Sequence, residues 1–259
     1  MIKFRPSPSA TDRIVVGLDV GTTKVSAIVG KMNEYGMVDI LGMGQAPSDG
    51  LKRGRPENIK NTVAAIREAK EQAEAQSDVE IANVFVGISA DHIRCMSKNQ
   101  IISCNNEQQE ITREDVERLR NEVSNIPLDA GREILHVVPQ QYTVNNTPGI
   151  PDPVGMSGVR LEGDFLIVTA DSSAVRDLCK CVERADMEVV ELVLQPVASS
   201  HAILSEDEKE AGVALIDIGG GTTDITVFHE HIMRHAAVIP FGGNIITEDI
   251  RYGLQILQK

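Results

Sequence analysis

Basic residues are in short supply: 25 Lys and Arg stand against 38 Asp and Glu, for a net charge of −13. Gripping nucleic acid takes clustered Lys and Arg, so a chain this acidic is not a nucleic-acid binder. Long apolar runs are missing as well. No stretch approaches the roughly eighteen consecutive apolar residues of a membrane-spanning helix, and no segment is the basic, Leu- or Trp-rich amphipathic helix that lies on a bilayer surface. The opening residues, MIKFRPSPSATDR, have no apolar h-region, which excludes a secretory signal and reads as a short disordered arm over 1–12. The four cysteines lack CxxC spacing. They read as reduced thiols of a cytosolic protein, not as a disulfide frame. Cys179 and Cys181, two apart in a helical pattern, point to different faces and cannot easily share a metal.

What is present suffices for a core. With 259 residues, 42% hydrophobic and 24% charged, the chain can build one large or two modest globular domains. Its most informative feature is an internal repeat. Ile14 to Val29 reads IVVGLDVGTTKVSAIV, and Val213 to Phe228 reads VALIDIGGGTTDITVF. Each is an apolar strand ending near an aspartate (Asp19, Asp217), then a Gly- and Thr-containing turn, then a second β-branched strand, which together spell a β-hairpin. Glycines beside an aspartate let backbone N–H groups face an anion while the carboxylate holds a cation, a phosphate cradle with a metal tether. Two such hairpins imply two similar half-domains facing one nucleotide.

Between the repeats the periodicity changes twice. A third strand is expected over Met37–Gly42, a basic loop at Leu51–Arg55 (LKRGR), a helix over Glu57–Gln76 and a short strand over Val84–Ile88. From about Ala90 to Gly163 the pattern is strand (Ile93–Ser103), helix N-capped by Thr112 with Asp115 at its third position, then strands near Leu135–Val144 and Val159–Phe165. Asn145–Gly158, dense in Pro, Gly and Asn, is expected to be a loop. Strand Phe165–Thr169, helix Ser172–Ala185, strand Val189–Leu194 and helix Val197–Leu204 return to βαβα, the pattern of a parallel sheet with covering helices. Ser205–Gly212 (SEDEKEAG) is expected to be a charged turn. Residues 90–163 therefore look like a small α+β insertion in an α/β domain.

These residues resemble the actin, Hsp70 and sugar-kinase superfamily of ATPases, and within it the FtsA family of bacterial cell-division proteins. The resemblance rests on GLDVGTTKVSAIVG, on GISADHI at Gly87–Ile93, on HVVPQQY at His136–Tyr142, on PVGMSGVRLE at Pro153–Glu162, on VALIDIGGGTTDITVF, and on IPFGGNIITEDI at Ile239–Ile250. It implies an actin-like ATPase fold of ribonuclease H-like half-domains: a first half (1A) over 13–89 and 164–204, an inserted interaction subdomain (1C) over 90–163, and a partial second half (2A) over 205–259. It further implies well over a hundred more residues than the chain has, so that the second half is incomplete and the chain reads as a C-terminally truncated fragment. Thr247–Lys259 looks like an amphipathic helix still in progress, without a C-cap glycine.

The site residues follow. Asp19 and Asp217 are expected to flank the phosphates of ATP and hold Mg²⁺ through its waters. Gly21, Thr22 and Thr23 on one side, and Gly219, Gly220, Gly221, Thr222 and Thr223 on the other, are expected to donate backbone and hydroxyl hydrogen bonds to phosphate. Lys24, where it points inward, places a charge on the β- or γ-phosphate. Gln195 stands where the superfamily often carries the group that orients the attacking water. Gly242 and Gly243 open a helix toward the ribose. The resemblance implies a slow ATPase, cytoplasmic and peripheral on the inner membrane, that self-assembles into filaments and links the tubulin-like ring protein FtsZ to the membrane. FtsZ and the membrane are expected to meet parts not in this chain, and later division proteins to meet residues 90–163. A pilus-assembly ATPase and a sugar or acetate kinase of the same superfamily stay open as alternatives. His229, His231 and His235 read as a solvated hairpin tip, because no fourth zinc ligand is in view.

Overall fold

The computed structural model describes residues 14–104 and 109–256; the arm expected over 1–12 lies outside them. The chain opens with an antiparallel meander of β1 (Ile14–Val20), β2 (Lys24–Met32) and β3 (Val38–Pro47). A two-residue ladder, β4 (Leu51–Lys52) with β5 (Arg55–Pro56), leads to helix α1 (Ile59–Ser77), after which β6 (Asn83–Ile88) lies parallel to β1. The middle of the chain is β7 (Arg94–Ser103), α2 (Arg113–Ser124), β8 (Arg132–Val144), β9 (Thr147–Ile150) and β10 (Arg160–Asp171). Then come α3 (Ser172–Arg184), β11 (Glu188–Leu194), α4 (Gln195–Ile203), α5 (Glu206–Ala211), β12 (Val213–Ile218), β13 (Thr223–His229), β14 (Ile232–Ile239) and α6 (Gly243–Leu254).

Three larger sheets result. The first has the order β11-β6-β1-β2-β3, with its parallel pairs on the β6 side and its antiparallel pairs on the β2 side. Its inward residues, among them Val16, Leu18, Val25, Val84 and Val86, pack against Ile66 and Ala69 of α1 and Leu178 and Val182 of α3. Strand β3 turns Gly42, Gly44 and Ala46 toward α1. A Cβ at Gly44 would stand 1.8 Å from the Ala69 carbonyl oxygen, so glycine there lets helix and sheet touch backbone to backbone. The edge that β3 would otherwise leave open is covered by the same helix: Met43 N–H donates to Gln76 Oε1 at 3.1 Å and Gln45 N–H to Gln72 Oε1 at 3.0 Å.

The second sheet, β7-β10-β8-β9, is antiparallel and carries α2. Side chains alternate along a strand, and β10 uses both faces. Leu161, Phe165 and Ile167 enter a separate core with Leu119 and Val123 of α2, while Leu166, Val168 and Ala170 enter the core of the first sheet. The third sheet, β12-β13-β14, presents Thr222, Asp224, Thr226 and Phe228 inward. Its other face and α6 leave Ile216, Ile218, Ile246 and Tyr252 exposed.

Several expectations need correction. Val159–Phe165 and Phe165–Thr169 are one strand, so the expected division between 163 and 164 falls inside β10, which stays paired to both β7 and β8 as far as Thr169. Its first half alternates polar and apolar residues, whereas from Phe165 to Ala170 both faces are buried, and that change of pattern hid the continuity. Part of the expected loop Asn145–Gly158 forms β9. The expected turn at SEDEKEAG is a short helix, started by a capping box between Ser205 and Glu208. The last helix stops at Leu254, with Gln255 in the left-handed conformation at φ 53 supplying the C-cap expected of a glycine.

Candidate functional site

The two repeated hairpins close in the same way. Gly21 N–H donates to the Lys24 carbonyl at 3.0 Å, and Gly219 N–H to the Thr222 carbonyl at 2.9 Å. The two turns meet tip to tip. A Cβ on Gly220 would lie 2.6 Å from Thr23 Cγ2, and one on Gly221 would lie 2.7 Å from Thr22 Oγ1. Glycine at these positions is what allows the approach, and any group placed between the turns must part them. Behind the second turn, Gly243 N–H donates to the Gly219 carbonyl at 2.9 Å and Asn244 N–H to the Gly220 carbonyl at 3.0 Å. Thr223 Oγ1 donates to the Phe241 carbonyl at 2.7 Å. The first amides of α6 are thus spent on holding the turn, and Gly242 packs 2.5 Å (from its would-be Cβ) beside the Gly219 oxygen.

Three carboxylates converge here. Asp19 is the last residue but one of β1, and burial pushes its pKa up; Lys24 nearby pulls it down, Asp217 raises it, and the Gln195 amide lowers it by donating to Oδ1. Lys24 itself is exposed and acts on Asp19 as a nearby charge. Gln195 is the first residue of α4, with Pro196 behind it to start the helix. Asp224 lies opposite Asp217 in the β12–β13 register and is buried. Burial, with Asp217 and Asp19 adding to it, drives the Asp224 pKa up to about 6, against the lowering effect of a hydrogen bond from Ser89.

Sequence reasoning missed Asp224, Ser89 and His136. Asp224 was within reach: Asp19 pairs with Ser26 and Asp217 with Asp224 at the same place in each hairpin, so aligning the repeats marks a position where the second copy swaps a hydroxyl for an acid. Ser89 stands in GISADHI and His136 in HVVPQQY, motifs that carried the resemblance without a chemical role. Buried His136 Nε2 accepts from Leu194 N–H at 3.0 Å, fixing the residue that precedes Gln195. Burial lowers the His136 pKa, which keeps it neutral as an acceptor requires. Gln140 of the same motif donates to the Met233 carbonyl of β14 at 2.9 Å.

The other features are structural. Arg55 of the LKRGR loop pairs with Asp91 at 2.9 Å and Asp171 at 3.5 Å. His231 sits in a turn with Glu230, both at positive φ, and faces Glu206 at 3.3 Å. Among the described residues no three His, Cys, Asp or Glu side chains are grouped to hold a metal directly, the three cleft aspartates included. A cleft of about 790 Å³ runs along the uncovered face of the first sheet and reaches Asp19, Gln195 and Asp217 at one end. Most of its wall is apolar sheet and α4, so its volume describes that face and not the space between the turns.

Two family models match the chain: "SHS2 domain inserted in FTSA" over residues 90–169 and "Cell division protein FtsA" over 214–259. The chain is 41% identical over 243 residues to the cell division protein FtsA of Pseudomonas aeruginosa, and 40% identical over 244 residues to that of Escherichia coli K12. Each match covers 94% of this chain and 58% of the relative. Among solved structures, a PilM-PilN type IV pilus biogenesis complex matches at TM-score 0.67 and 16% identity, over 94% of this chain and 66% of that one. The ethanolamine utilization protein EutJ of Carboxydothermus hydrogenoformans matches at TM-score 0.53 and 17% identity, over 99% and 61%. Such identities speak to the fold alone, which is of the actin-like α/β kind with an inserted SHS2 domain.

Proposed function

Because this chain belongs to the FtsA family of cell-division proteins, we propose that its paired glycine turns take the phosphate end of Mg·ATP and that the bound nucleotide serves assembly more than turnover. The chain spans 58% of the length of the curated relatives it matches, so filament formation, the link to FtsZ and attachment to the membrane belong to the proposal. One observation carries it: two hairpins with the same turn bond meet tip to tip, with Asp19 and Asp217 beside the turns.

The residues suit such a group. Glycines 220 and 221 bring backbone against Thr23 and Thr22 where a Cβ would clash, so a phosphate seated there would part the turns and meet bare backbone. Asp19 and Asp224 are held above the ordinary carboxylate range, in part by other aspartates, a strain that a divalent cation relieves. Bound Mg²⁺ would supply charge neutralisation to the phosphates. Asp19 and Asp217 would face its water shell, because the carboxylates do not cluster tightly enough to ligate it directly. Gln195, aligned by its bond to Asp19, would orient the attacking water. Residues 90–163 would make contacts with neighbouring subunits or later division proteins. A sugar or acetate kinase would need a catalytic base near an open substrate cleft and a polar, substrate-facing insertion, whereas the inserted sheet turns one face to α2 and the other to the main core.

Isothermal calorimetry with Mg·ATP tests this reading. Asp217→Ala should weaken binding at least about tenfold, close to 1.4 kcal/mol. Gln195→Ala should slow any hydrolysis more than it weakens binding. Equal affinity in the wild type and in Asp217→Ala would overturn the proposal.

A further inference from the structure

Asp224 is buried in the third sheet, yet its partner comes from the first. Ser89 follows β6 directly, and its Oγ–H lies 2.6 Å from Asp224 Oδ1 and 2.7 Å from Oδ2, with Thr222 Oγ1 at 3.4 Å. Ser89 and Asp224 are 7% and 4% exposed, so water does not compete for this bond. The charged groups facing Asp224 are Asp19 from β1 and Asp217 from β12, both acidic. In the first hairpin the equivalent register position is Ser26, a neutral hydroxyl beside Asp19. The second hairpin puts an acid there, and a hydroxyl from across the cleft answers it.

The segment carrying that hydroxyl is clamped. Gly54, at φ +78, packs so closely that a Cβ would meet the Ser89 carbonyl oxygen at 1.9 Å. Asp91 N–H donates to the Arg53 carbonyl at 3.3 Å, and the Arg55 guanidinium donates to Asp91 at 2.9 Å. Three residues beyond Asp91, β7 of the inserted sheet begins. The LKRGR ladder therefore braces a short rigid stretch with the cleft at one end and the insertion at the other.

We propose that Ser89 is a positioning residue for the cleft, its hydroxyl orienting the Asp224 carboxylate beside Asp217 and Asp19 and tying the second turn to the root of the inserted sheet. The role rests on the phosphate-binding reading for its use, but the contact itself does not. A hydrogen bond donated to a carboxylate favours the ionised form, so removing it must make Asp224 harder to ionise.

Two measurements on the full 259-residue chain decide the matter. The first is the carboxyl-carbon NMR titration of Asp224 without ligand, in wild type, Ser89→Ala and Ser89→Thr. The wild-type midpoint is expected near about 6. Ser89→Ala should move it up by about one pH unit, and Ser89→Thr, which keeps the hydroxyl, should restore it. An unmoved midpoint in Ser89→Ala would overturn the proposal whatever the nucleotide does. The second is Mg·ATP affinity against pH. Ser89→Ala should bind about five- to tenfold more weakly at pH 6 and within about twofold of wild type at pH 8.5, because only the ionised fraction of Asp224 serves. A loss of the same size at every pH would mark a merely structural residue and would also overturn it. If wild type fails to bind Mg·ATP, the phosphate-binding reading falls, and the titration still decides the Ser89–Asp224 contact.

Discussion

Two glycines of α6 make opposite demands on the same substitution. Gly242 caps the helix at φ −148, a conformation any residue adopts, but its Cβ would stand 2.5 Å from both the Gly219 and Gly220 carbonyl oxygens. Those oxygens belong to backbone that α6 itself holds, so the clash cannot be relieved by a side-chain rotation. Gly253 lies inside the same helix with nothing within 4 Å of its would-be Cβ. Gly242→Ala should therefore cost about 1–3 kcal/mol by overpacking, while Gly253→Ala should gain roughly 0.5–1 kcal/mol from helix propensity. Urea denaturation of the two variants checks the pair; a destabilised Gly253→Ala, or a neutral Gly242→Ala, would contradict the packing described. The sequence marked Gly242 as a site residue for its approach to a ligand. In the structure its approach is to the turn.

The junction between elements is where titration enters. His92, between β6 and β7, is buried; its Nδ1 accepts from Asp171 N–H at 3.1 Å, and its Nε2 has no partner. Burial first, then Arg55, lower its pKa to about 4; Asp171 and Asp91 push the other way, and Arg132 lowers it further. Asp171 keeps its charge throughout, held near about 2 by hydrogen bonds from Ser173 and Ala174 at the start of α3. A histidine depressed in the fold binds its proton more readily unfolded, so its contribution is complete above about pH 6.5 and is lost as pH falls toward 4. Asp224, raised to about 6, has the opposite sign: ionising it costs stability as pH rises through 6, and acid returns that cost. The two oppose each other between pH 6.5 and 4, so wild type alone reveals little. His92→Asn keeps an acceptor for Asp171 and removes the titration. Its melting temperature should rise relative to wild type as pH is lowered through that window. Parallel curves would remove the role assigned to His92.

Elements were also where the sequence was most and least legible. Hairpins with Asp and Gly at fixed places, and α1 and α3 with clean apolar stripes, could be read because one buried face leaves a period. Strand β10 could not be divided correctly, because burial on both faces erases alternation and leaves a continuous apolar run from Phe165 to Val168. SEDEKEAG looked like a turn by charge alone, although Ser205 and Glu208 hold the spacing of a capping box. Asp19, Asp217 and Gln195 could be named because a repeat and a resemblance pointed to them, and the fold brings the three near one another. Ser89 and His136 act through single hydrogen bonds to partners 135 and 58 residues away, and no local pattern encodes such a pairing.

At the scale of the whole molecule, the inserted sheet has a core of its own and also lines the main core. From sequence, residues 90–163 look like a small α+β insertion, which would have apolar faces of its own and leave the phosphate turns outside it. The separate core around Phe165 and Leu119 agrees with the first half of that idea. The other face of β10 contributes Leu166, Val168 and Ala170 to the main core. His136 of β8 holds Leu194, and Gln140 holds β14. Asp171 at the end of β10 caps α3 through Ser173 and Ala174. Excision would therefore take Leu166 and Val168 out of the main core, bare the residues they cover, leave the Leu194 N–H buried without an acceptor and loosen the start of the helix that bears Gln195. Losing one buried acceptor alone costs about 1–3 kcal/mol, and removing a buried Leu and a buried Val from the main core adds several more, against a total stability of only about 5–15 kcal/mol. Replacing residues 95–168 by a short Gly-Ser linker should consequently abolish cooperative melting, as followed by circular dichroism, and send the chain to aggregates on size exclusion. A soluble deletion variant that melts cooperatively near the wild-type temperature would mean that the shared core and the His136 contact contribute little, and that the inserted sheet is a passenger on the half that carries Asp19.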